Sequence, residues 1–374
     1  LEEGLVSEDT EFTCVGYYTL PGVKPMRCHI YPRNHGKQNF VQAIANSCNP
    51  AFMTLGNQIG AHLFFKYYTA FGFTQRTGVD LLGEPLVTTS LYHQEEDIKP
   101  VDLATSSIGQ TFKVTPLQMV TALAAIANGG NLMQPYIVQQ ILDSDGNVVS
   151  NTEPVVKRQV VSEDISREIS LMLEQVVANG SGRQAQIPGY RVGGKTGTSE
   201  QLDSPKLKSE GRTPNTLSFF GFAPVEDPQV ACLVLIDDPD IYNAFGSTVA
   251  APIVGSILAE TLPYMGIEPQ YTEEELANVA TKAEYLINLD LHDAQYKCRV
   301  SGLKYRVVGN GTKVLRQIPE VGETIPEGGT IVLYTEEEGA GDLIPVPDVV
   351  GKTVEEANRS IVGAGLNISI SGEQ

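Results

Sequence analysis

A lysine set between glycines and threonines, in Gly189-Tyr-Arg-Val-Gly-Gly-Lys195-Thr196-Gly197-Thr198, is the part of this sequence best equipped for chemistry. Two readings fit its spacing. In one, the stretch from Gly189 to Thr196 satisfies G-x-x-x-x-G-K-[ST], a loop whose backbone N–H groups cradle phosphates. The run Ala231-Cys-Leu-Val-Leu-Ile-Asp237-Asp238 is then the acidic strand that holds Mg²⁺. In the other, Lys195-Thr196-Gly197-Thr198 is a strand bordering a cleft. There the lysine supplies a fixed positive charge for a substrate carboxylate or for a neighbouring hydroxyl. Thr196 and Thr198 offer hydroxyls to that carboxylate, and Gly197 lets a peptide-like substrate lie against the strand. The backbone N–H beyond it can serve an oxyanion.

Context separates the two. A phosphate loop needs a buried strand before its glycines and a helix directly after Lys-Thr, because the phosphates sit on that helix's N-terminus. Before Gly189 stands the polar Ser181-Gly-Arg-Gln-Ala-Gln-Ile-Pro188, and after Thr196 stands Gly197-Thr-Ser-Glu-Gln-Leu-Asp-Ser-Pro205, a poor helix start. With 36 glycines in the chain a chance match is easy, so no nucleotide is expected. A second polar constellation, Ser47-Cys48-Asn49, precedes Pro50. Alone it reads as a helix cap; upstream of Lys-Thr-Gly it becomes informative.

The elements that must position these residues have readable ends. Residues 39–47 carry Phe40, Val41 and Ile44 at helical spacing, and Asn49-Pro50 reads as the N-cap and first position of a second helix through Phe52, Leu55 and Ile59. Ser47-Cys48-Asn49 therefore lies on a turn between helices. Thr115-Pro116 opens a helix over 117–127 that Asn128-Gly129-Gly130 stops, and Ser162-Glu-Asp opens another that ends at Asn179-Gly180. Strands are predicted over 191–201, 217–222 and 229–236, then a helix over 247–262. Beyond Tyr264, Gly266-Ile-Glu-Pro-Gln-Tyr-Thr-Glu-Glu-Glu reads as a linker. A repeat follows, with Ala294, Gly302, Leu303 and Gly309 recurring as Ala357, Gly365, Leu366 and Gly372 at one offset. Each copy predicts a helix (292–300; 354–362) and a Gly-Leu turn into a strand. The first continues through 314–319, a turn at Gly322 and 328–334 as a β-hairpin.

Composition bounds the function. The 374 residues are 41% hydrophobic, as in a soluble globular chain with a large core and small modules. Twenty-six basic against 45 acidic residues give a formal charge of -19, which excludes phosphate-backbone binding as the main task; no nucleic acid is expected. No run of about 20 apolar residues spans a membrane, and Leu1-Glu-Glu-Gly-Leu-Val lacks the regions of a signal peptide. The five cysteines (Cys14, Cys28, Cys48, Cys232, Cys298) form no C-x-x-C pair and the five histidines show no ligand spacing, so no metal or cofactor is expected. Cys14 and Cys28 read equally as a disulfide pair or as two small thiols.

Ser-x-x-Lys, Ser-Asp-Asn and Lys-Thr-Gly are the signature set of penicillin-binding proteins and class A β-lactamases; here Cys48 stands where that set has Asp. Further stretches agree: Asn46-Ser-Cys-Asn-Pro-Ala-Phe52, Leu103-Ala-Thr-Ser-Ser-Ile-Gly-Gln110, Val114-Thr-Pro-Leu-Gln118, Ala124-Ala-Ile-Ala-Asn-Gly-Gly130, Gly193-Gly-Lys-Thr-Gly-Thr-Ser-Glu-Gln201 and Ser218-Phe-Phe-Gly-Phe-Ala-Pro224. Over residues 1–265 the chain resembles the transpeptidase domain of class B penicillin-binding proteins. Pro347-Asp-Val-Val-Gly-Lys-Thr-Val-Glu-Glu-Ala357 and Val308-Gly-Asn-Gly311 resemble PASTA modules of Gram-positive division and sporulation enzymes.

The resemblance implies an α/β (α+β) transpeptidase fold of the penicillin-binding/β-lactamase type, an antiparallel sheet flanked by helices. It implies a domain over 1–265, a linker over 266–278, a PASTA-like repeat over 279–339 and an incomplete one over 344–374. It also implies a serine D,D-transpeptidase that attacks the D-Ala-D-Ala carbonyl of a peptidoglycan stem peptide, releases D-Ala and passes the acyl group to a neighbouring amine. β-Lactams would inhibit it by mimicry. By the same likeness Ser47 relays protons, Asn49 binds the substrate amide and the catalytic lysine, and Lys195 sets the electrostatics. Thr196 and Thr198 hold the terminal carboxylate beside the substrate-binding Gly197, with Thr198 N–H in the oxyanion hole. The family's Ser-x-x-Lys nucleophile pair has no match here: the sole Ser-x-x-Lys, Ser301-Gly-Leu-Lys304, follows Lys-Thr-Gly and lies in the first repeat. The expectation is that the pair, the first strands of the sheet and a membrane anchor lie upstream of Leu1. The chain would then work on the extracytoplasmic face of a Gram-positive-type membrane, beside membrane-anchored wall-synthesis machinery, and be inactive and poorly stable alone. A non-catalytic wall-binding or β-lactam sensor protein is the other class the motifs allow.

Overall fold

The run Asn215–Ala223 is apolar on both parities, which demands cover on both faces of a strand. The computed structural model supplies it. The structure describes residues 1–201, 204–210, 213–241, 244–272, 275, 281–301, 303–325, 330–336, 346–352, 357 and 360–361. The chain divides into two units, Leu1–Gln270 and Tyr271–Gln374.

The first unit opens with four short strands, β1 (Phe12–Cys14), β2 (Tyr17–Tyr18), β3 (Met26–Arg27) and β4 (Gly36–Gln38), paired antiparallel as β1–β4 and β2–β3. Helices α1 (Phe40–Ala45) and α2 (Asn49–Ala70) follow. Asn39 caps α1 reciprocally with Gln42. The N-cap of α2 is Cys48, one residue before the expected Asn49, which instead takes the first helical position beside Pro50. Gly60, at φ 76°, interrupts α2. Next come α3 (Pro100–Ser106), α4 (Pro116–Ala127), the strand pairs β5 (Asn131–Met133) with β8 (Val156–Gln159) and β6 (Gln140–Leu142) with β7 (Val148–Asn151), and α5 (Glu163–Ala178). Thr115 and Ser162 cap α4 and α5, as their sequences require.

The central sheet follows: β9 (Gly193–Glu200), then the short helix α6 (Pro205–Glu210), β10 (Asn215–Ala223) and β11 (Val230–Asp237), in the antiparallel order β11-β10-β9. A π-type turn at Gly246–Ala250 leads into α7 (Ala251–Tyr264). Alternation along β10 separates two cores. Phe220 and Phe222 pack with Ala43 and Ile44 of α1 and Met172 and Val176 of α5, while Phe219 and Ala223 pack with Val254 and Leu258 of α7. Burying each of the larger side chains among these contributes about 1.5–3 kcal/mol. Gly193 and Gly194 are required where β9 crosses these rings. A Cβ on Gly193 would sit 2.3 Å from Phe222 Cζ, and one on Gly194 2.6 Å from Phe219 Cζ. Helices on both faces of an antiparallel sheet are the α+β architecture expected. No helix among the described residues is long and apolar enough to cross a membrane.

The second unit contains β12 (Thr281–Lys282), α8 (Leu291–Val300), β13 (Lys304–Val308), β14 (Arg316–Ile318), β15 (Thr324–Ile325) and β16 (Thr330–Tyr334). The expected hairpin is more elaborate than the sequence suggests. β16 is central, antiparallel to β14 but also parallel to β13, and β15 turns away to pair with β12. Ala294 is buried against Leu286, Val314, Ile331 and Leu333. Its repeat counterpart Ala357 is buried too. Gly302, the first two residues (328–329) of the strand expected over 328–334, most of the second repeat's helix and the strand after Gly365-Leu366 lie outside the described residues.

Candidate active site

Ser47 sits at the junction the sequence indicates. α1 ends with Asn46 as its cap, Ser47 turns into the left-handed region at φ 51°, and Cys48 begins α2. Backbone N–H groups of Ser47 and Cys48 donate to the carbonyls of Ile44 (3.0 Å) and Ala43 (3.0 Å), fixing the turn. A non-glycine residue held there costs about 1–2 kcal/mol, and the turn aims Ser47 at the sheet.

Lys195 lies on β9 opposite Phe220. Its Nζ donates to Ser47 Oγ at 2.7 Å, to the Thr196 carbonyl at 3.0 Å and to Thr196 Oγ1 at 3.4 Å. All three acceptors are neutral, and among the described residues no carboxylate forms an ion pair with it. Burial lowers the Lys195 pKa from its ordinary 10.5 to about 8. The structure thus joins Ser47, Lys195 and Thr196 into one cluster. β9 is an edge strand, paired among the described residues with β10 alone. Thr198 is exposed farther along that edge. Gly197 has a structural reason besides substrate access, since a Cβ there would lie 2.3 Å from Ser218 Oγ. Asn49 shares Ser47's turn, but its Nδ2 donates to the Arg27 carbonyl at 3.3 Å.

Two supporting hydroxyls were not legible as site residues. Ser181 Oγ lies 3.1 Å from Thr196 Oγ1, and Ser181 N donates to the Ala45 carbonyl at 3.1 Å, tying the loop after α5 to both motifs. Ser199 Oγ donates to Gln110 Oε1 at 3.4 Å, bringing the Leu103–Gln110 stretch to the end of β9. Cys14 and Cys28 are both buried free thiols, and Cys48 and His35 join them in a cluster that sequence spacing does not reveal.

The phosphate-loop reading fails on this geometry. β9 runs from Gly193 to Glu200 without a helix after Lys195, and what precedes it is a short 3-10 turn at Arg183–Ala185 and a bridge between Ile187 and Tyr190. Among the described residues no helix N-terminus directly follows Lys195-Thr196 to receive phosphates. Ser301 is not at a helix start either: it caps the C-terminus of α8, and its Oγ donates to Glu284 Oε1 at 3.1 Å.

Among the described residues a three-stranded antiparallel sheet lies between helical layers, with a lysine on its edge strand bonded to a serine from an interhelical turn. Residues 1–259 match the penicillin binding protein transpeptidase domain and residues 283–337 the PASTA domain, and the chain belongs to that transpeptidase family. It is 39% identical over 344 residues to stage V sporulation protein D of Bacillus subtilis, covering 90% of this chain and 52% of the relative. It is 32% identical over 224 residues to the peptidoglycan D,D-transpeptidase FtsI of Escherichia coli K12, covering 59% of this chain and 34% of that protein. Among solved structures, the D,D-transpeptidase domain of a peptidoglycan glycosyltransferase from Eggerthella lenta superposes with TM-score 0.61 at 29% identity, covering 71% of this chain and 63% of that one. Penicillin binding protein 3 of Mycobacterium tuberculosis, complexed with ampicillin, gives TM-score 0.62 at 25% identity, covering 73% and 60%. The chain spans about half the length of the Bacillus relative.

Proposed function

We propose that this chain forms the substrate-holding half of a peptidoglycan D,D-transpeptidase site that binds the D-Ala-D-Ala end of a stem peptide and, by mimicry, β-lactams. The observation that carries the reading is the 2.7 Å hydrogen bond from Lys195 Nζ to Ser47 Oγ, which unites the Ser-x-Asn and Lys-Thr-Gly motifs on an open sheet edge. A stem peptide laid along β9 gains backbone hydrogen bonds as an added strand. Its terminal carboxylate meets the Lys195 ammonium with the Thr196 and Thr198 hydroxyls, and Asn49 binds its amide. With a pKa of about 8, Lys195 exchanges a proton with Ser47 near neutrality, so Ser47 can pass a proton to the departing D-Ala amine. Thr198 N–H serves the oxyanion.

The acyl-accepting serine is assigned to no residue of this chain, because Ser301 occupies the wrong end of its helix. A protein that adds a Ser-x-x-Lys helix to this site would cross-link neighbouring stems on the extracytoplasmic face of the membrane, with wall-synthesis machinery as partner. Residues 1–265 serve as the transpeptidase domain, 266–278 as linker, 279–339 and 344–374 as PASTA-like repeats. A non-catalytic wall-binding or sensor role is the second reading the motifs allow. Fluorescence anisotropy with a labelled peptide ending in D-Ala-D-Ala tests the shared claim: binding should weaken at least tenfold in Lys195→Ala and for the C-terminally amidated peptide. Equal affinity for acid and amide would refute carboxylate recognition.

A further inference from the structure

The N-terminal strands bring together four side chains that the substrate reading does not use. Cys14 ends β1, Cys28 follows β3, His35 precedes β4 and Cys48 caps α2, and their ligand atoms all lie within 4.8 Å of one another. Cys14, Cys28 and Cys48 are 1%, 2% and 0% exposed. We propose that Cys14, Cys28, His35 and Cys48 form a zinc site that pins the Ser47–Asn49 turn to the strands before it.

The donor set is that of a closed structural site, with three sulfurs and one imidazole. A tetrahedral ion with Zn–S of about 2.3 Å and Zn–N of about 2.0–2.1 Å requires sulfur and nitrogen ligands to stand about 3.6 Å apart. Cys28 Sγ lies 3.6 Å from His35 Nδ1, so the ring already turns that nitrogen toward the thiols. Thiol ligands lose their protons to the ion itself. Binding releases the thiol protons of Cys14, Cys28 and Cys48 and leaves His35 neutral. The His29 ring packs against His35 from outside, with ring centroids 5.5 Å apart and a tilt of 35°. Because Cys48 separates Ser47 from Asn49, the ion would hold the strained turn in the conformation that reaches Lys195. A disulfide between two of these thiols would leave the third thiol and the imidazole without a role.

The site is tested on the full chain, purified under reducing conditions, exposed to micromolar Zn²⁺ and desalted. Elemental analysis should find about one zinc per chain, and Co²⁺ loading should give thiolate charge-transfer bands with the visible bands of a tetrahedral ion. Iodoacetamide should modify Cys14, Cys28 and Cys48 only after chelation, while Cys232→Ser keeps the metal. His35→Ala, which leaves the buried sulfurs in place, should bind zinc at least tenfold more weakly. A chain that retains no zinc and gives no thiolate–cobalt bands overturns the proposal. So does a mass lower by a pair of hydrogens with two of these cysteines cross-linked.

Discussion

Lys195 holds its charge where burial displaces its titration from 10.5 to about 8, so the residue that serves the ligand works against the fold. Between those two values the unfolded chain binds more protons than the folded one, and stability must rise with pH through that window; below about pH 8 the full cost is present. At about 1.4 kcal/mol per pH unit the displacement amounts to about 3 kcal/mol. Partial solvent access to this half-buried side chain makes that an upper bound. Lys195→Met keeps most of the aliphatic packing and removes the charge. Thr196 Oγ1 retains Ser181 as a partner, and Ser47 and Thr196, which lose the lysine's other two bonds, are only partly buried, so water can replace the donor. The variant should be about 1–3 kcal/mol more stable at pH 7 while losing the D-Ala-D-Ala peptide, a trade of stability for function. Urea-dependent hydrogen exchange of β10 peptides, corrected for intrinsic rates, reads the first unit alone. Wild type should gain on the variant from pH 8 to pH 10. The reasoning is refuted by a variant less stable at pH 7, or by two pH profiles that rise in parallel.

Gly194→Ala places a methyl 2.6 Å from Phe219 Cζ and 2.7 Å from the Phe220 carbonyl; it should destabilise the first unit by about 1–3 kcal/mol in the same exchange measurement. Ser181→Ala frees Thr196 and should weaken peptide binding severalfold, with a stability change of about 1 kcal/mol or less, as read by anisotropy and urea midpoints. Fluorescent penicillin should leave no stoichiometric covalent label on this 374-residue chain in denaturing gels; a stable label would assign a nucleophile to one of its own serines.

The caps made the helices legible: Thr115 with Gln118 and Ser162 with Ile165 N each satisfy a helix start locally, so their sequences report their structures. β10 and β11 were legible because their apolar runs are short and turn-bounded, whereas β9, which has no apolar run, was legible only through its threonines and its bounding turns. The meeting of Ser47 with Lys195 was not written in spacing at all; it came from the order of two motifs and their family likeness. The second unit exposed the opposite weakness. β16 pairs in parallel with β13 across a long connection, and parallel pairing leaves no local turn signal of the kind a hairpin does. Ser181 was read as one polar residue among several, since nothing in Ser181-Gly-Arg-Gln distinguishes a hydroxyl that faces β9. The thiol cluster stayed hidden because its donors come from four segments with no fixed interval, whereas metal-binding patterns are recognised by fixed intervals.

The most direct test of the site is side-chain NMR of the chain with isotope-labelled lysine, titrated with an N-acylated D-Ala-D-Ala peptide. The Lys195 Nζ resonance and the amides of Thr196, Gly197 and Thr198 should shift together and saturate, and the amidated or L-Ala-L-Ala peptide should leave them in place. Saturable shifts elsewhere with Lys195 and β9 unmoved would contradict the account.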